Sequence, residues 1–295
     1  MILLAALLAA APADSLVVSA AWLEQHLTDP HLVVVETGMA DDGYRAGHVP
    51  GARFVSAMRF HIQQMPGPYP SASSIVASIE GLGITNEDRV VLVGDPMSAA
   101  ITFVAFDYVG HGRRTAVLDG GTAAWRAVGG QLTRELPSVK PSHYRPNVRD
   151  DLIVDAAWVA AHRDSARVRL LDARSEEEYL GTSTSEGLPR YGHIPGARHL
   201  DWMATLDSSD VAKGRDGDGS QSGIRFKSVA EQSALFRQQG AEPGQLVVTY
   251  CTMGMRASEL YLIARRLGYD ARIYPGSMVD WSRRPELPIA TGAAR

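Results

Sequence analysis

The apolar residues of this chain fall into short runs separated by longer amphipathic stretches. The runs are rich in Val, Leu and Ile, and they include LVVVETG at 32–38, DRVVLVGD at 88–95, VRLLDAR at 168–174 and GQLVVTYC at 244–251. Continuous apolar runs of this length are typical of strands that are buried on both faces. The stretch after the last run has apolar residues at helical spacing and ends at Gly268. The alternation predicts an α/β fold, in which a parallel β-sheet is flanked by helices.

The same order of motifs occurs twice along the chain. GHVPGAR at Gly47–Arg53 returns as GHIPGAR at Gly192–Arg198. An apolar run that ends in a carboxylate precedes each copy, with Glu36 in the first and Asp172 in the second. A period this long is not that of a solenoid, so it indicates a duplicated domain.

Two further residue types recur in both copies. His48 and His193 precede the proline of the repeated motif, and we expect them to hold that turn rather than to act as catalytic bases. Trp125 and Trp281 close a glycine-containing turn in each copy, and we expect them to anchor the cores.

The repeat sets the predicted domain boundaries. The first domain is expected at 14–135 and the second at 151–295, joined by a linker at 136–150 that is rich in Pro and charge. The second copy is longer, with additional residues at 181–189 and 206–223. The latter insertion contains a faint calcium-loop pattern, but it lacks the glycine and the final glutamate that such loops need, so we expect no metal site.

Composition excludes several classes of protein. The 295 residues are 45% apolar and 21% charged, with a formal net charge of −4 and no cluster of Lys and Arg, which disfavours nucleic-acid binding. A single cysteine rules out an internal disulfide and a cysteine-rich zinc site. Nothing indicates a bound cofactor.

The first thirteen residues have the features of a leader. Residues 1–13 are apolar, too short to span a bilayer, and end in a small-x-small pattern that predicts signal-peptidase cleavage before Asp14. No Lys or Arg precedes the apolar run, as a secretory leader should have. We expect a periplasmic or secreted protein that does not bind a membrane once the leader is removed, with a cytoplasmic protein as the alternative.

The single cysteine, Cys251, lies where an open α/β sheet places its ligand sites. It follows the run at 246–250, at the predicted carboxyl end of a parallel strand and six residues before the predicted helix. Loop amides, the helix N-terminus and Arg256 all favour the thiolate form, which is nucleophilic. The alternative is that Cys251 is a small buried apolar residue.

The first copy lacks this thiol. Counted along the repeated strands, Asp95 occupies the position of Cys251, and Pro96 removes one loop N–H. We therefore expect one catalytic and one structural half, with a cleft between them that shapes the pocket.

The duplicated unit, the paired GH[VI]PGA motifs and a cysteine loop that opens a helix resemble the tandem-domain rhodaneses, which are thiosulfate and 3-mercaptopyruvate sulfurtransferases. The resemblance covers the chain after the leader. It implies two tandem rhodanese-like domains, each with a parallel five-stranded sheet, of which the first is inactive and the second catalytic.

The resemblance also implies a mechanism. Cys251 would take a sulfur atom from a small-molecule donor as a persulfide and pass it to cyanide, a thiol or a protein acceptor. The loop amides that would hold the persulfide belong to Thr252, Met253, Gly254, Met255 and Arg256. Asp172 and Arg174 match the buried Asp-x-Arg pair that supports the loop in the family, although a purely structural ion pair is an equal alternative.

The donor depends on side chains of the loop. The sequence CTMGMR lacks the Ser and Thr that mercaptopyruvate enzymes use, and its single Arg256 favours a dianion such as thiosulfate. Glu178 stands where vertebrate members have a second arginine, which counts against a simple thiosulfate site. Arg190 or Arg198 would supply the missing charge, although a surface position is the alternative for each.

Further classes of function compete with a thiosulfate sulfurtransferase at this point. A cysteine phosphatase needs Cys-x5-Arg, whereas Cys251 and Arg256 are separated by only four residues. A 3-mercaptopyruvate sulfurtransferase, a non-catalytic persulfide carrier and an inert scaffold are also compatible with the motifs.

Overall fold

We describe the fold from a computed structural model, which describes residues 15–64, 66–183, 187–207, 209 and 223–293. The predicted leader at 1–13 and the calcium-like pattern at 216–220 lie outside these residues. None of the helices in the described ranges is long and apolar enough to cross a lipid bilayer.

The first domain is a five-stranded parallel sheet with helices on both faces. The strand order is β1-β5-β4-β2-β3. Its strands are β1 Val17–Val18, β2 Leu32–Gly38, β3 Arg53–Ser56, β4 Arg89–Val93 and β5 Thr115–Leu118. Its helices are α1 Ala20–His26, α2 Asp42–Ala46, α3 Ala72–Gly81, α4 Pro96–Tyr108 and α5 Gly121–Ala127.

The second domain repeats this architecture with one strand fewer in its sheet. The order of its four strands is β7-β6-β8-β9, and an isolated parallel bridge between Ile153 and Ile273 stands where a fifth strand was expected. Its strands are β6 Val168–Asp172, β7 Arg198–His199, β8 Leu246–Tyr250 and β9 Asp270–Ile273. Its helices are α6 Ala156–His162, α7 Glu176–Leu180, α8 Val229–Gln238, α9 Met255–Arg266 and α10 Ser277–Trp281.

The repeated tryptophans and histidines are buried, as their recurrence in both copies predicted. Trp125 and Trp281 each belong to the apolar cluster on the outer face of their own sheet. His48 and His193 are 0% and 2% exposed, and each ring lies within hydrogen-bond distance of a main-chain carbonyl of the preceding helix. Their role in the turn is therefore structural.

The two domains pack through the helices that follow their central strands. Helices α4 and α9 face each other, and one apolar cluster runs across them from one domain to the other. At the end of this interface, Asp107 accepts hydrogen bonds from the hydroxyl of Tyr261 at 2.6 Å, from Arg149 at 2.7 Å and from Arg265 at 3.0 Å. The buried carboxylate thus joins α4, α9 and the segment between the domains.

Strand register corrects one sequence prediction. Glu36 pairs with Val93 as Asp172 pairs with Tyr250, so the position equivalent to Cys251 is Gly94 and not Asp95. Asp95 instead accepts the Ser98 N–H as the N-cap of α4. The prediction erred by one residue because it aligned the runs 88–95 and 244–251 end to end, whereas the register makes Arg89 equivalent to Leu246.

Candidate active site at the carboxyl end of the second sheet

Cys251 lies at the bottom of a short loop between β8 and α9. The residue is 1% exposed, and its sulfur accepts the N–H of Gly254 at 3.1 Å. Gly254 has φ +95° and is the N-cap of the helix, so α9 begins at Met255, earlier than predicted. Arg256 therefore belongs to the first helical turn, where the N–H groups have no intrahelical acceptor and are suited to bind an anion.

Ser277 supports Cys251 from behind. Its hydroxyl accepts the Cys251 N–H at 3.0 Å and donates to the Tyr274 carbonyl at 2.9 Å. It is the only non-glycine residue of the described ranges with a positive φ, +51°. A side chain in this region costs about 1 kcal/mol or more. The strain lies next to the candidate nucleophile, where it fixes the direction of the cysteine main chain.

An ion pair closes one side of the loop. Arg256 donates to both carboxylate oxygens of Glu178, at 2.6 and 3.0 Å, and to the hydroxyl of Thr252 at 2.6 Å. Burial lowers the pKa of Arg256, but the hydrogen bonds to Glu178 and the attraction of Cys251, Glu178 and Asp172 outweigh burial and raise that pKa. The only loop arginine is therefore already matched by a carboxylate from α7.

Asp172 and Arg174 form a buried ion pair beneath the loop. They are 0% and 1% exposed, and Arg174 Nη2 lies 2.6 Å from the carboxylate and 2.8 Å from the carbonyl of Gly192. Burial alone would lower the pKa of Arg174, but the charge and hydrogen bonds of Asp172 raise it. Because Asp172 pairs in register with Tyr250, the ion pair connects the strand end to the GHIPGAR turn.

The first domain also reaches the loop. Ring nitrogen Nε2 of His61 lies 2.7 Å from the Met253 carbonyl, and Nδ1 lies 3.0 Å from the carbonyl of Ile62. A cavity of about 610 Å³ lies between the domains, where Ile62 and Tyr69 face Pro275 and Gly276. Cys251 does not line this cavity, so the cleft borders the loop from the side of Pro275.

The predicted site residues divide into two groups. The structure brings together Cys251, Thr252, Gly254 and Arg256, with Asp172 and Arg174 below them. The side chain of Met253 is 38% exposed beside the loop, whereas that of Met255 turns toward the core shared by the domains.

Arg190 and Arg198 are not brought to the loop. The guanidinium of Arg190 donates to the carbonyls of Trp281, Ser282, Arg284 and Leu287, and so holds the C-terminal segment. Arg198 begins β7, and within the described residues no hydrogen bond or ion pair joins it to the loop. Its charge adds to burial in lowering the pKa of Arg169.

Three contributors were not found from the sequence. In the sequence, Glu178 differs only as a departure from the family, and its capping-box position on α7 is what directs it at Arg256. Ser277 carries one sequence signal, because it replaces a glycine of the first copy, Gly121, that has the same φ of +51°. For His61 no signal exists, since only the docked domains bring it to the loop.

Within the described residues there is no group of three or more His, Cys, Asp or Glu side chains placed to hold a metal ion. The groups near Cys251 are instead amides, a hydroxyl and one ion pair, which can hold an anionic sulfur by hydrogen bonds.

Both halves of the chain are similar in sequence to known proteins. The Rhodanese-like domain profile matches residues 19–128 and 155–284. The sulfur carrier protein TtuD of Thermus thermophilus is 32% identical, covering 93% of this chain and 96% of that protein. The thiosulfate sulfurtransferase of Azotobacter vinelandii is 30% identical over the same shares of the two chains. A probable 3-mercaptopyruvate sulfurtransferase of Pseudomonas aeruginosa is 29% identical, covering 93% of this chain and 97% of that protein.

Solved structures share the fold. YnjE superposes with a TM-score of 0.80 at 25% identity, covering 94% of this chain and 68% of that one. An EanB variant in complex with ergothioneine superposes with a TM-score of 0.78 at 22% identity, covering 95% of this chain and 71% of that one. With two matched domains and relatives aligned over nearly their whole length, the chain belongs to the rhodanese-like sulfurtransferase family, in the form with two tandem domains.

Proposed function

We propose that this protein transfers a sulfane sulfur from an anionic donor, thiosulfate, to a thiophilic acceptor through a persulfide on Cys251. The observation that carries the proposal is the position of the sulfur, which accepts an amide N–H at 3.1 Å at the start of α9. Amides aimed at a sulfur stabilise it as an anion, both as thiolate and as persulfide.

Two displacements complete the transfer. The Cys251 thiolate attacks the outer sulfur of thiosulfate, a new S–S bond forms, and sulfite leaves with the electron pair of the bond that breaks. An acceptor such as cyanide or a thiolate then attacks the terminal sulfur of the persulfide, and the electron pair of the cleaved S–S bond returns to the Cys251 sulfur. The first-turn N–H groups hold the charge on sulfur during both steps.

The burial of Cys251 fits this chemistry. Because only 1% of Cys251 is exposed, the terminal sulfur of a small donor needs less opening of the loop than a bulky reacting centre would. The same restriction argues against phosphoryl transfer, which needs room for a tetrahedral group around the nucleophile.

Mass measurement tests the proposal directly. Incubation with thiosulfate should add one sulfur atom to the intact protein, and cyanide should remove it with release of thiocyanate. The variant Cys251→Ser should gain nothing. Loading of Cys251→Ser to the same extent, or failure of every sulfur donor to load the native protein, would contradict the mechanism.

A second candidate is a persulfide carrier that accepts sulfur without fast turnover of thiosulfate. The observation that favours it is the Glu178–Arg256 ion pair, because a dianionic donor must compete with a carboxylate already bound to the only loop arginine. TtuD is by its name a sulfur carrier protein, and this chain is similar to it over nearly its full length. Stoichiometric loading by small persulfides with little thiosulfate turnover would favour this candidate.

A third candidate function uses 3-mercaptopyruvate as the donor, and the same loading experiment tests it. This chain is similar to a probable 3-mercaptopyruvate sulfurtransferase of Pseudomonas aeruginosa, which supports testing this donor. Against it, the loop has Met253 and Arg256 at the positions where mercaptopyruvate enzymes have hydroxyl side chains. Faster loading by mercaptopyruvate than by thiosulfate would assign the protein to that donor.

A further inference from the structure

A second cavity lies in the first domain, at the same sheet edge that carries Cys251 in the second domain. Its volume is about 610 Å³. Glu36 and Asp95 line it from the strand ends, Arg126 lines it from α5, and Met39 and Met97 add apolar surface. The size is suited to a small organic ligand.

Strand register identifies what this cavity lacks. Because Glu36 is equivalent to Asp172, Gly38 stands at the position of Arg174. Tyr44 and Tyr179 are also equivalent, since each stacks on the histidine of its motif and donates its hydroxyl to the alanine carbonyl of that motif.

The equivalence of Tyr44 and Tyr179 gives the first domain a glycine, Gly43, at the position of Glu178. Gly43 precedes Tyr44 as Glu178 precedes Tyr179, and Gly38, Gly43 and Gly94 all line the cavity. The cavity is therefore the space that Arg174, Glu178 and Cys251 fill in the second domain.

The carboxylate left in this space lacks its cation. Glu36 is 8% exposed, and its Oε2 has no hydrogen-bond partner in the described part of the chain. Burial raises its pKa to about 7, against the lowering effects of the Val49 N–H and of His48. Its counterpart Asp172 has a guanidinium nitrogen at 2.6 Å. An unpaired buried carboxylate is costly, and a cation that pairs with it recovers that cost.

We propose that the first-domain cavity binds a guanidinium group, which occupies the position that Arg174 fills in the second domain. The planar fork of a guanidinium matches the carboxylate of Glu36. Gly47 lines the cavity and is equivalent to Gly192, whose carbonyl accepts the second bond of Arg174. An alkyl stem would then extend along Met39 and Met97 toward solvent.

Two sources can present this group, namely a free guanidino compound and an arginine side chain of another protein. Both would place the same fork against Glu36. An arginine of another protein has main chain on both sides, which the mouth of the cavity must accommodate, whereas a free guanidino compound does not. A capped peptide that contains arginine tests whether the cavity accommodates that main chain.

Calorimetric titration of the full-length protein at pH 8 tests the proposal. The ligands are N-methylguanidinium, its neutral isostere N-methylurea, free arginine and the capped peptide acetyl-Ala-Arg-Ala-amide. Native protein should bind methylguanidinium at least tenfold more tightly than methylurea. Tighter binding of the peptide than of arginine assigns the site to a protein partner, and the reverse order assigns it to a metabolite.

Three variants give the matched comparison. Glu36→Gln keeps the shape and should weaken methylguanidinium binding at least tenfold. Gly38→Arg should abolish it by restoring the arginine of the second domain, whereas Gly81→Arg adds the same charge outside the cavity, where a new Cβ meets no atom within 4 Å, and should bind like native protein.

The proposal would be overturned by equal binding to Glu36→Gln, by equal affinity for methylurea, or by absence of binding to native protein. The methylurea comparison needs no variant, so it decides the matter even if a substitution prevents folding. Sulfur loading of Cys251 should not change on addition of methylguanidinium, which separates this site from the proposed function.

Discussion

The two domains use one scaffold and differ most at one sheet edge. In the first, only Gly94 and Asp95 separate β4 from α4, and Pro96 begins the helix. In the second, Cys251–Gly254 separate β8 from α9, so the connection is two residues longer. The longer connection makes room for a sulfur atom and turns an amide toward it. The half that contains the cysteine therefore has the longer loop, and it has charged side chains at Arg174 and Glu178 where the first copy has Gly38 and Gly43.

The largest expected difference in stability concerns the buried carboxylates Glu36 and Asp172, at the carboxyl ends of the two sheets. Asp172→Asn leaves Arg174 buried without its partner, and we expect a loss of about 3 to 5 kcal/mol in the free energy of unfolding. Glu36→Gln removes a carboxylate whose Oε2 has no hydrogen-bond partner among the described residues, so we expect no loss at neutral pH. Urea denaturation of both variants measures the contrast, which would fail if the two losses were equal.

The pH dependence of Glu36 should sharpen this contrast. The folded protein holds the Glu36 proton up to a pKa of about 7, whereas an ordinary solvated glutamate, as in the unfolded chain, has a pKa of 4.5. The contribution is therefore fully present below pH 4.5 and is lost as pH rises through 7, by about 3 kcal/mol.

Other buried groups act in the same pH window, so a difference must be measured. Burial lowers the pKa of His111 to about 4, which opposes the effect of Glu36, and burial raises the pKa of Glu259, which adds to it. The stability of Glu36→Gln minus that of native protein should rise from pH 4.5 to pH 7.5. A flat difference would show that Glu36 ionises normally.

An intermediate effect on activity or stability is expected from Ser277 and Gly121, the equivalent residues with φ +51°. Ser277→Gly relieves strain but removes the acceptor of the Cys251 N–H, so we expect kcat/KM for sulfur transfer to fall about tenfold with little change in stability. The reciprocal change, Gly121→Ser, should cost about 1 to 3 kcal/mol of stability without affecting transfer. A loss of stability in Ser277→Gly that matches its loss of activity would contradict a positioning role.

The smallest expected effect concerns the charge beside the loop. Glu178→Gln frees Arg256 for an anionic donor, and we expect kcat/KM for thiosulfate to rise about fivefold, equivalent to about 1 kcal/mol. Gly43→Gln places the same residue at the equivalent position of the first domain and should leave the rate of sulfur transfer unchanged. A fall in the rate for Glu178→Gln would show that Glu178 is needed to orient Arg256.

The sequence predicted the scaffold and the position of Cys251 because both leave local signals. Apolar runs at 88–95 and 244–251 and the repeated GH[VI]PGAR motif indicated two α/β domains, and the profile matches confirm them. Cys251 follows a strand run directly, so its place at the sheet edge followed from strand length. The assignment of Asp95 to the same position failed by one residue, because the apolar runs do not show which of their residues pair with the neighbouring strand.

The electrostatic environment could not be predicted in the same way. Glu178 pairs with Arg256 because the phase of α7 and the direction of α9 bring the two side chains together. Glu259, a charged residue near the start of α9, is 0% exposed and accepts a hydrogen bond from Thr205 at 2.8 Å. Such pairings depend on how separate elements dock, and neither composition nor periodicity reports that.

The contact between His61 and the Met253 carbonyl has a consequence for how the protein responds to dilution. If the two halves were separate chains, this contact would be lost whenever the pair dissociated. A covalent tether instead keeps the halves at a high effective concentration, on the order of millimolar for short linkers. The shape of the cysteine loop is therefore independent of protein concentration. Because the tether is permanent, the first half can act as a fixed wall beside the cysteine loop without carrying a cysteine of its own.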